Sequence, residues 1–208
     1  MAKEGFPFIA GALVLTLLAA LGGLEVLTAF FALLTCFIVY FFRDPERALP
    51  KDPEALVAPA DGKILKIETL SPAHSPLGVD TIKVSIFMSV FNVHVNRSPA
   101  EAVVDNITYE PGKFFSANLD KASDLNEKNR IFLHSPTLGE ILLVQIAGLI
   151  ARRIVCWVQA GQRLSKGQRL GLIRFGSRVE LFLPSVCRVV VKAGQRVKAG
   201  ETVIGYTL

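Results

Sequence analysis

The chain has 208 residues, 51% of them hydrophobic, and its 23 basic side chains outnumber 18 acidic ones to give a net charge of +5. The length allows one domain with a substantial core plus an accessory segment and leaves little room for two full domains. The apolar excess lies mostly before residue 43. The sequence therefore predicts a membrane-associated segment followed by a globular domain.

Two long apolar runs occupy the first 42 residues. Residues 6–23 form an uncharged run of 18 residues and residues 26–42 another of 17, with Glu25 between them. Each run is close to the shortest length that spans a bilayer. We expect residues 1–42 to form a membrane-associated helical hairpin, spanning or re-entrant. One long tilted helix is the alternative, but it would leave Glu25 in lipid.

Basic residues bear on orientation and on partners. Arg43, Arg47 and Lys51 follow the second apolar run, and such residues are enriched on the cytoplasmic side of membrane proteins. Residues 151–200 contain eleven Lys or Arg and one acid, Glu180. We expect a cell-membrane protein with its second domain on the cytoplasmic face, attracted to an anionic membrane surface, and no nucleic-acid partner. A solvated basic surface is the alternative for residues 151–200.

The three cysteines, Cys36, Cys156 and Cys187, have no ligand-like spacing. They are interpreted as buried small hydrophobes, and no metal site is predicted.

The composition changes after Phe42, where Pro45, Pro50 and Pro53 prevent the helix from continuing. Residues 43–208 are predicted to form one mainly β domain, barrel-like or sandwich-like, because short apolar runs alternate with glycine, proline and charge. The predicted strands are residues 63–69, 81–89, 102–108, 130–135, 140–147, 154–158, 169–174, 178–183, 187–192 and 202–207.

An internal repeat lies near the end of the chain. AGQRLSKGQRLG at residues 160–171 resembles KAGQRVKAGETVIG at residues 192–205. Paired turns of this kind are typical of lipoyl-type folds, in which two similar hairpin units pack on each other. The Gly176-Ser177 bond lies between the two units.

Four residues could carry chemistry. The Ser177 hydroxyl could attack the Gly176 carbonyl, because glycine tolerates a bent and uncrowded backbone. His94 could remove the serine proton, and Asp61 could orient the imidazole. Each residue also has a plain structural interpretation: a Gly-Ser turn, a half-buried histidine alternating with apolar residues in a strand, and a Pro-x-Asp-Gly turn.

Six motifs in order resemble the short, single-polypeptide form of phosphatidylserine decarboxylase, a pyruvoyl-dependent family, and they cover nearly all of residues 40–208. The motifs are FFRDPER, PADGKI, SIFMSVFNVHVNRSP, NEKNR, VQIAGLIARRIV and GLIRFGSRVELFLP. The longer bacterial form has Leu-Gly-Ser-Thr at the cleavage site and a second histidine before the one matching His94. This chain has Phe-Gly-Ser-Arg and places Phe91 and Asn92 there, so no role for a second histidine is implied.

The resemblance implies a mechanism. Assisted by Asp61, His94 would deprotonate Ser177, which attacks Gly176 to give an ester. β-Elimination would then cut the chain into a β chain, residues 1–176, and an α chain, residues 177–208, which stay together as a heterodimer. Ser177 would become a covalent pyruvoyl group that forms a Schiff base with phosphatidylserine and accepts the electrons released with carbon dioxide. The product would be phosphatidylethanolamine, and His94 would supply its proton.

Two other functions remain open. A lipoyl-like carrier or adaptor on a membrane hairpin would need an exposed lysine at a tight turn, commonly beside methionine, and neither Met1 nor Met88 adjoins one. A pyruvoyl enzyme for a soluble amino acid would give no reason for the apolar hairpin. Phe87, Met88 and Phe91 are either core residues or part of the substrate path.

Overall fold

A computed structural model of the chain describes residues 1–119, 121–149, 153–174 and 176–207. Phe175, the first residue of the predicted Phe-Gly-Ser-Arg cleavage motif, and Arg152, one of the eleven cations counted above, lie outside these ranges. The chain divides into two compact units, Met1–Glu46 and Arg47–Leu208.

The first unit is a pair of apolar helices. A 3-10 turn, Lys3–Gly5, leads into α1, Phe6–Leu21, and α2 is Glu25–Phe41. Small residues allow the helices to approach, and the hydroxyls of Thr16 and Thr35 lie 3.5 Å apart between them. The helix that runs from Lys3 to Leu21 is long and apolar enough to cross a membrane, whereas α2 is shorter. The predicted pair of N-terminal apolar helices is confirmed.

The second unit is built from fourteen described strands and one short helix, α3, Lys121–Leu125. The strands are β1 Ala55–Val57, β2 Gly62–Leu70, β3 Thr81–Met88, β4 Val95–Arg97, β5 Ala102–Glu110, β6 Lys128–Ser135, β7 Gly139–Ala147, β8 Ile154–Cys156, β9 Arg163–Leu164, β10 Arg169–Ile173, β11 Ser177–Pro184, β12 Arg188–Val189, β13 Arg196–Val197 and β14 Val203–Tyr206.

Eight strands form a curled half-barrel sheet in the order β13-β2-β3-β11-β7-β6-β5-β9. Two three-stranded sheets, β1-β14-β12 and β4-β10-β8, complete the unit. Apolar side chains on one face of the large sheet, such as Ile86, Leu143 and Val179, form the core with residues of the small sheets. The period of two along each strand places these residues on a single face. The predicted mainly β, barrel-like or sandwich-like domain is confirmed.

The repeat seen in the sequence is a structural repeat. In the first copy of the repeat, residues 160–171, β9 pairs with β5 and β10 pairs with β4. In the second copy, residues 192–205, β13 pairs with β2 and β14 pairs with β1. Each copy therefore contributes two short strands, which pair with strands from earlier in the chain. Gly167 and Gly200 occupy matching turns, both with φ +76°, a conformation that favours glycine.

All ten predicted strands are present, with ends that differ by up to three residues. The alternative interpretation of His94 as a half-buried strand residue is wrong, because His94 is fully buried and directly precedes β4. Asn92 closes a turn there, because its side-chain oxygen accepts hydrogen bonds from the backbone N–H and the hydroxyl of Ser89. Asn side chains commonly stabilise such turns. The sequence also gave no indication of the very short strands β1, β4, β9 and β13.

Candidate active site

Ser177 is the first residue of β11, a central strand of the large sheet. Its register partners are Met88 at the end of β3 and Ala147 at the end of β7. Directly opposed residues of an antiparallel pair point to the same face. The side chain of Ser177 is fully buried on the inner face, and its hydroxyl donates to the sulfur of Met88 at 3.4 Å.

Gly176 has a backbone conformation that favours glycine. Its φ of +73° is in the left-handed region, which side chains rarely tolerate. Gly148 lies opposite, and a Cβ added to it would stand 2.1 Å from the Gly176 carbonyl oxygen. A glycine is thus needed at position 148 as well, because it leaves room for the Gly176 carbonyl.

His94 lies beside this bond with a defined tautomer. Its Nε2 accepts a hydrogen bond from the backbone N–H of Gly176 at 3.3 Å, and its Nδ1 lies 2.9 Å from the carbonyl oxygen of Asn92. A carbonyl can only accept and an amide N–H can only donate, so the proton is on Nδ1 and Nε2 carries the lone pair. The buried imidazole therefore presents a basic nitrogen to the Gly176-Ser177 segment.

Asp61 lies at the corner between β1 and β2 and has other partners. Both of its carboxylate oxygens accept from Nη2 of Arg47 at 2.9 Å, and one also accepts from the backbone N–H of Ala199 at 2.8 Å. Among the described residues, His94 is not one of its hydrogen-bond partners. The structure thus brings His94, Gly176 and Ser177 together. Asp61 instead joins Arg47 to Ala199, which lies in the second copy of the repeat.

Arg47 changes the interpretation of the basic residues after α2. The sequence predicts that Arg47 flanks the membrane. Its side chain is only 6% exposed, however, and it pairs with Asp61 and Glu201. A cation buried in this way is neutralised by the protein and does not face lipid headgroups. Arg178 is likewise buried and lies 3.4 Å from Glu180, so the basic skew of residues 151–200 overstates the exposed charge.

A cavity of about 520 Å³ adjoins the turn that holds His94. Its lining combines cations from the strands around the second repeat, two phenylalanines and polar groups of the turn. The lining residues are Asp61, Gly62, Lys63, Phe87, Ser89, Phe91, Asn92, Arg196, Val197 and Lys198. Such a surface suits a ligand with an anionic headgroup and an apolar tail.

Phe87, Met88 and Phe91, each expected either in the core or along the substrate path, lie in different environments. Met88 is fully buried in the core. Phe87 lines the cavity, and Phe91 lines it while remaining 64% exposed. Phe91 is therefore not a core residue.

Cysteine chemistry does not compete with Ser177 at this site. Burial raises the pKa of the Cys187 thiol to about 11, so it is overwhelmingly protonated at neutral pH. Cys187 packs in the core, as predicted, and Cys156 is half-buried. Cys36 is exposed on the surface of the isolated helix pair, where the sequence had suggested burial.

Several residues of the site were missed from the sequence. Asn96, Asn129 and Gln145 are buried and hydrogen-bonded to one another behind Ser177. Gln145 could have been found, because it occupies an inward position of the alternating pattern ILLVQIA, where apolar residues are expected. Asn92 and Arg47 gave no such signal, since both lie in irregular segments.

A model of the family described as phosphatidylserine decarboxylase matches residues 34–205. The chain belongs to this family. Membership confirms the resemblance inferred from the six motifs and makes the protein a decarboxylase, that is, a lyase.

Curated relatives match along the whole chain, and each is named phosphatidylserine decarboxylase proenzyme. One from Desulfotalea psychrophila is 51% identical over 208 residues, which cover 100% of this chain and 97% of the relative. Another from Pelobacter propionicus is 49% identical, covering 99% of this chain and 96% of the relative. A third from Syntrophus aciditrophicus is 48% identical with the same coverage of 99% and 96%.

Proposed function

We propose that the protein is made as a precursor, cleaves itself between Gly176 and Ser177, and decarboxylates phosphatidylserine to phosphatidylethanolamine with a pyruvoyl group derived from Ser177. The contact between Nε2 of His94 and the N–H of Gly176 carries the proposal. It places the lone pair of a neutral imidazole next to the two residues that must react. The names of the relatives, which describe proenzymes, support a precursor.

The cleavage step uses groups of this chain. Nε2 of His94 takes the proton of the Ser177 hydroxyl as the serine oxygen attacks the Gly176 carbonyl. It then returns that proton to the amide nitrogen of Ser177, which leaves as an amine while the ester forms. Nδ1 stays bonded to the Asn92 carbonyl and keeps the ring oriented. Loss of the α proton of Ser177 then breaks the bond between its β carbon and the ester oxygen, which releases the Gly176 carboxylate and leaves dehydroalanine at position 177. The dehydroalanine tautomerises to an imine, and water hydrolyses the imine to the pyruvoyl ketone and ammonia. The products are residues 1–176 and residues 177–208, held together because β11 pairs with β3 and β7.

Asp61 acts in this scheme as a positioning residue. It holds Ala199 and Arg47, and it lines the same cavity as Asn92, whose carbonyl orients His94. The Asp61 carboxylate is paired with Arg47, so Asp61 would assist His94 through the shape of the cavity wall.

Position 177 fits a pyruvoyl group, which has no more heavy atoms than the serine it replaces and would fill the same buried space beside Met88. When present, the group supplies the electron sink that decarboxylation of an amino acid requires and that ordinary side chains lack. Nε2 of His94 is the site that would hold a proton for the product.

The cavity beside the turn would bind the phosphatidylserine headgroup. Lys63, Arg196 and Lys198 would face its phosphate and carboxylate, and exposed Phe91 would contact the acyl region at an anionic membrane surface. The apolar helix pair would attach the protein to the cell membrane with this domain on the cytoplasmic face. A carrier or adaptor without catalysis would give no reason for the arrangement of His94 and Gly176.

Intact-mass analysis of the purified protein tests the proposal. We expect two chains, residues 1–176 and residues 177–208, the second beginning with a pyruvoyl group and blocked to Edman degradation. Ser177→Ala and His94→Ala should remain single chains without carbon dioxide release from phosphatidylserine vesicles. His134→Ala is the matched control, because His134 is exposed on β6, and it should be cleaved normally. An uncut wild-type chain with full activity would overturn the proposal.

A further inference from the structure

A chain of buried polar side chains runs through the core and ends at the Ser177 hydroxyl. Nδ2 of Asn129 donates to Oε1 of Gln145 at 3.1 Å, and Nε2 of Gln145 donates to Oδ1 of Asn96 at 2.9 Å. Nδ2 of Asn96 then lies 3.6 Å from the sulfur of Met88. The Ser177 hydroxyl reaches the same sulfur from the other side at 3.4 Å.

These contacts join three parts of the fold. Asn129 and Gln145 are register partners on β6 and β7, Asn96 comes from β4 in a small sheet, and Met88 and Ser177 are partners on β3 and β11. None of the five is more than 3% exposed. Buried amides are costly unless paired, so their orientation is well defined, and the donors point toward Met88.

The sulfur of Met88 therefore serves as the acceptor for the Ser177 hydroxyl in a water-poor core. A thioether is a weak hydrogen-bond acceptor and is not a base. While the hydroxyl points at this sulfur, its proton is not directed at Nε2 of His94, and the oxygen cannot be deprotonated. The hydroxyl must turn away from the sulfur before it attacks Gly176.

We propose that Met88 is a positioning residue that slows self-cleavage, by holding the Ser177 hydroxyl in a resting orientation that the Asn129, Gln145 and Asn96 side chains maintain. This inference rests on the proposed self-cleavage at Gly176-Ser177. Removing the sulfur acceptor should free the hydroxyl and accelerate cleavage. Simple damage to the core would slow it instead, so the direction of the effect separates the two explanations.

The composition permits an almost isosteric test. The chain has two methionines, Met1 and Met88, so replacing methionine throughout changes a single core residue. The full chain is synthesised in a cell-free system with lipid vesicles and with methionine, selenomethionine or norleucine. Norleucine replaces sulfur by a methylene group, whereas selenomethionine keeps a comparable acceptor and is the matched control. Conversion of the 22.6 kDa precursor to two chains is followed with time.

We expect the norleucine chain to be cleaved about two- to tenfold faster than the methionine chain, which corresponds to the net contribution of one ordinary hydrogen bond. The selenomethionine chain should match methionine. The rate should rise at every pH without a change in its pH midpoint, because His94 remains the base. Equal or slower cleavage of the norleucine chain would overturn the inference alone. No cleavage in any of the three chains would overturn the proposed self-cleavage as well.

Discussion

At the scale of single residues, two backbone carbonyls matter as much as any side chain. The Asn92 carbonyl fixes the tautomer of His94, and the Gly176 carbonyl fits against Gly148. A histidine needs only an acceptor on one nitrogen to present a lone pair on the other, and a carbonyl is sufficient. The carboxylate of Asp61 is occupied by Arg47 and Ala199.

Replacing Asp61 by asparagine should lower stability in addition to any effect on cleavage. The change leaves Arg47 buried with Glu201 as its remaining acidic partner, at 3.3 Å. We expect a loss of about 3 kcal/mol in the free energy of unfolding, typical of breaking a buried ion pair. Urea unfolding of the detergent-solubilised chain would measure it, with Ser177→Ala as the background so that every sample is uncut.

Glu201→Gln is the control for this prediction. Glu201 is more exposed than Asp61, so its loss should cost less than about 1 kcal/mol. An Asp61→Asn protein with the unfolding midpoint of its parent would contradict a structural role for the Arg47 pair. The rate of cleavage of the Asp61→Asn variant with Ser177 intact would then report separately how much Asp61 contributes to cleavage as a positioning residue.

At the scale of elements, α3 is attached to β11 just after the proposed cleavage site. The Ser123 hydroxyl donates to Oε1 of Glu180 at 2.6 Å and accepts from Nη1 of Arg178 at 2.6 Å. Arg178 and Glu180 are buried on the outer face of the sheet, opposite to Ser177. One strand thus carries Ser177, the proposed pyruvoyl precursor, on one face and the ion pair that binds Ser123 of α3 on the other.

Ser123→Ala should loosen this segment without unfolding the sheet. Two charge-assisted hydrogen bonds are lost, at a cost of about 1–3 kcal/mol. Hydrogen–deuterium exchange of residues 113–126 should accelerate about tenfold or more, while β7 and β11 keep their protection. Ser116→Ala is the control, since the hydroxyl of Ser116 donates to neighbouring Asn118 and, within the described part of the chain, has no bond to β11. Unchanged exchange in Ser123→Ala would show that the anchor contributes little.

At the scale of the whole molecule, the exposed charge is smaller and more localised than the composition suggests. Arg47 and Arg178 are neutralised inside the domain, whereas Lys63, Arg196 and Lys198 surround the cavity near His94. Local charge beside the reacting groups acts on an anionic substrate more strongly than distant charge, because salt screens interactions over about 10 Å.

The double variant Arg196→Gln/Lys198→Gln should bind lipid less well. We expect the apparent KM for phosphatidylserine in vesicles to rise about fivefold or more with little change in kcat, because two headgroup contacts are lost while the reacting groups are intact. Lys192→Gln, at an exposed position of the same repeat, is the control and should keep the wild-type KM. A drop in kcat alone would place these cations in a different role.

The sequence by itself determined the class of fold, the repeat and the family, because local signals carry all three, and it predicted Gly176-Ser177 as the cleavage site. Alternating apolar residues define strands, glycine defines strained turns, and six ordered motifs define the family. The apolar pair of helices was predictable for the same reason.

Only the tertiary structure decided which groups meet. Met88 and Ser177 are 89 positions apart in the chain and are in contact because they are register partners on the paired strands β3 and β11. Asn92 contacts His94 through its backbone carbonyl, a group that every residue possesses. Burial of Arg47 against Asp61 depends likewise on a corner between strands. Side-chain pairing across a sheet follows from register, which is a property of the folded chain and has no local signature in the residues that it joins.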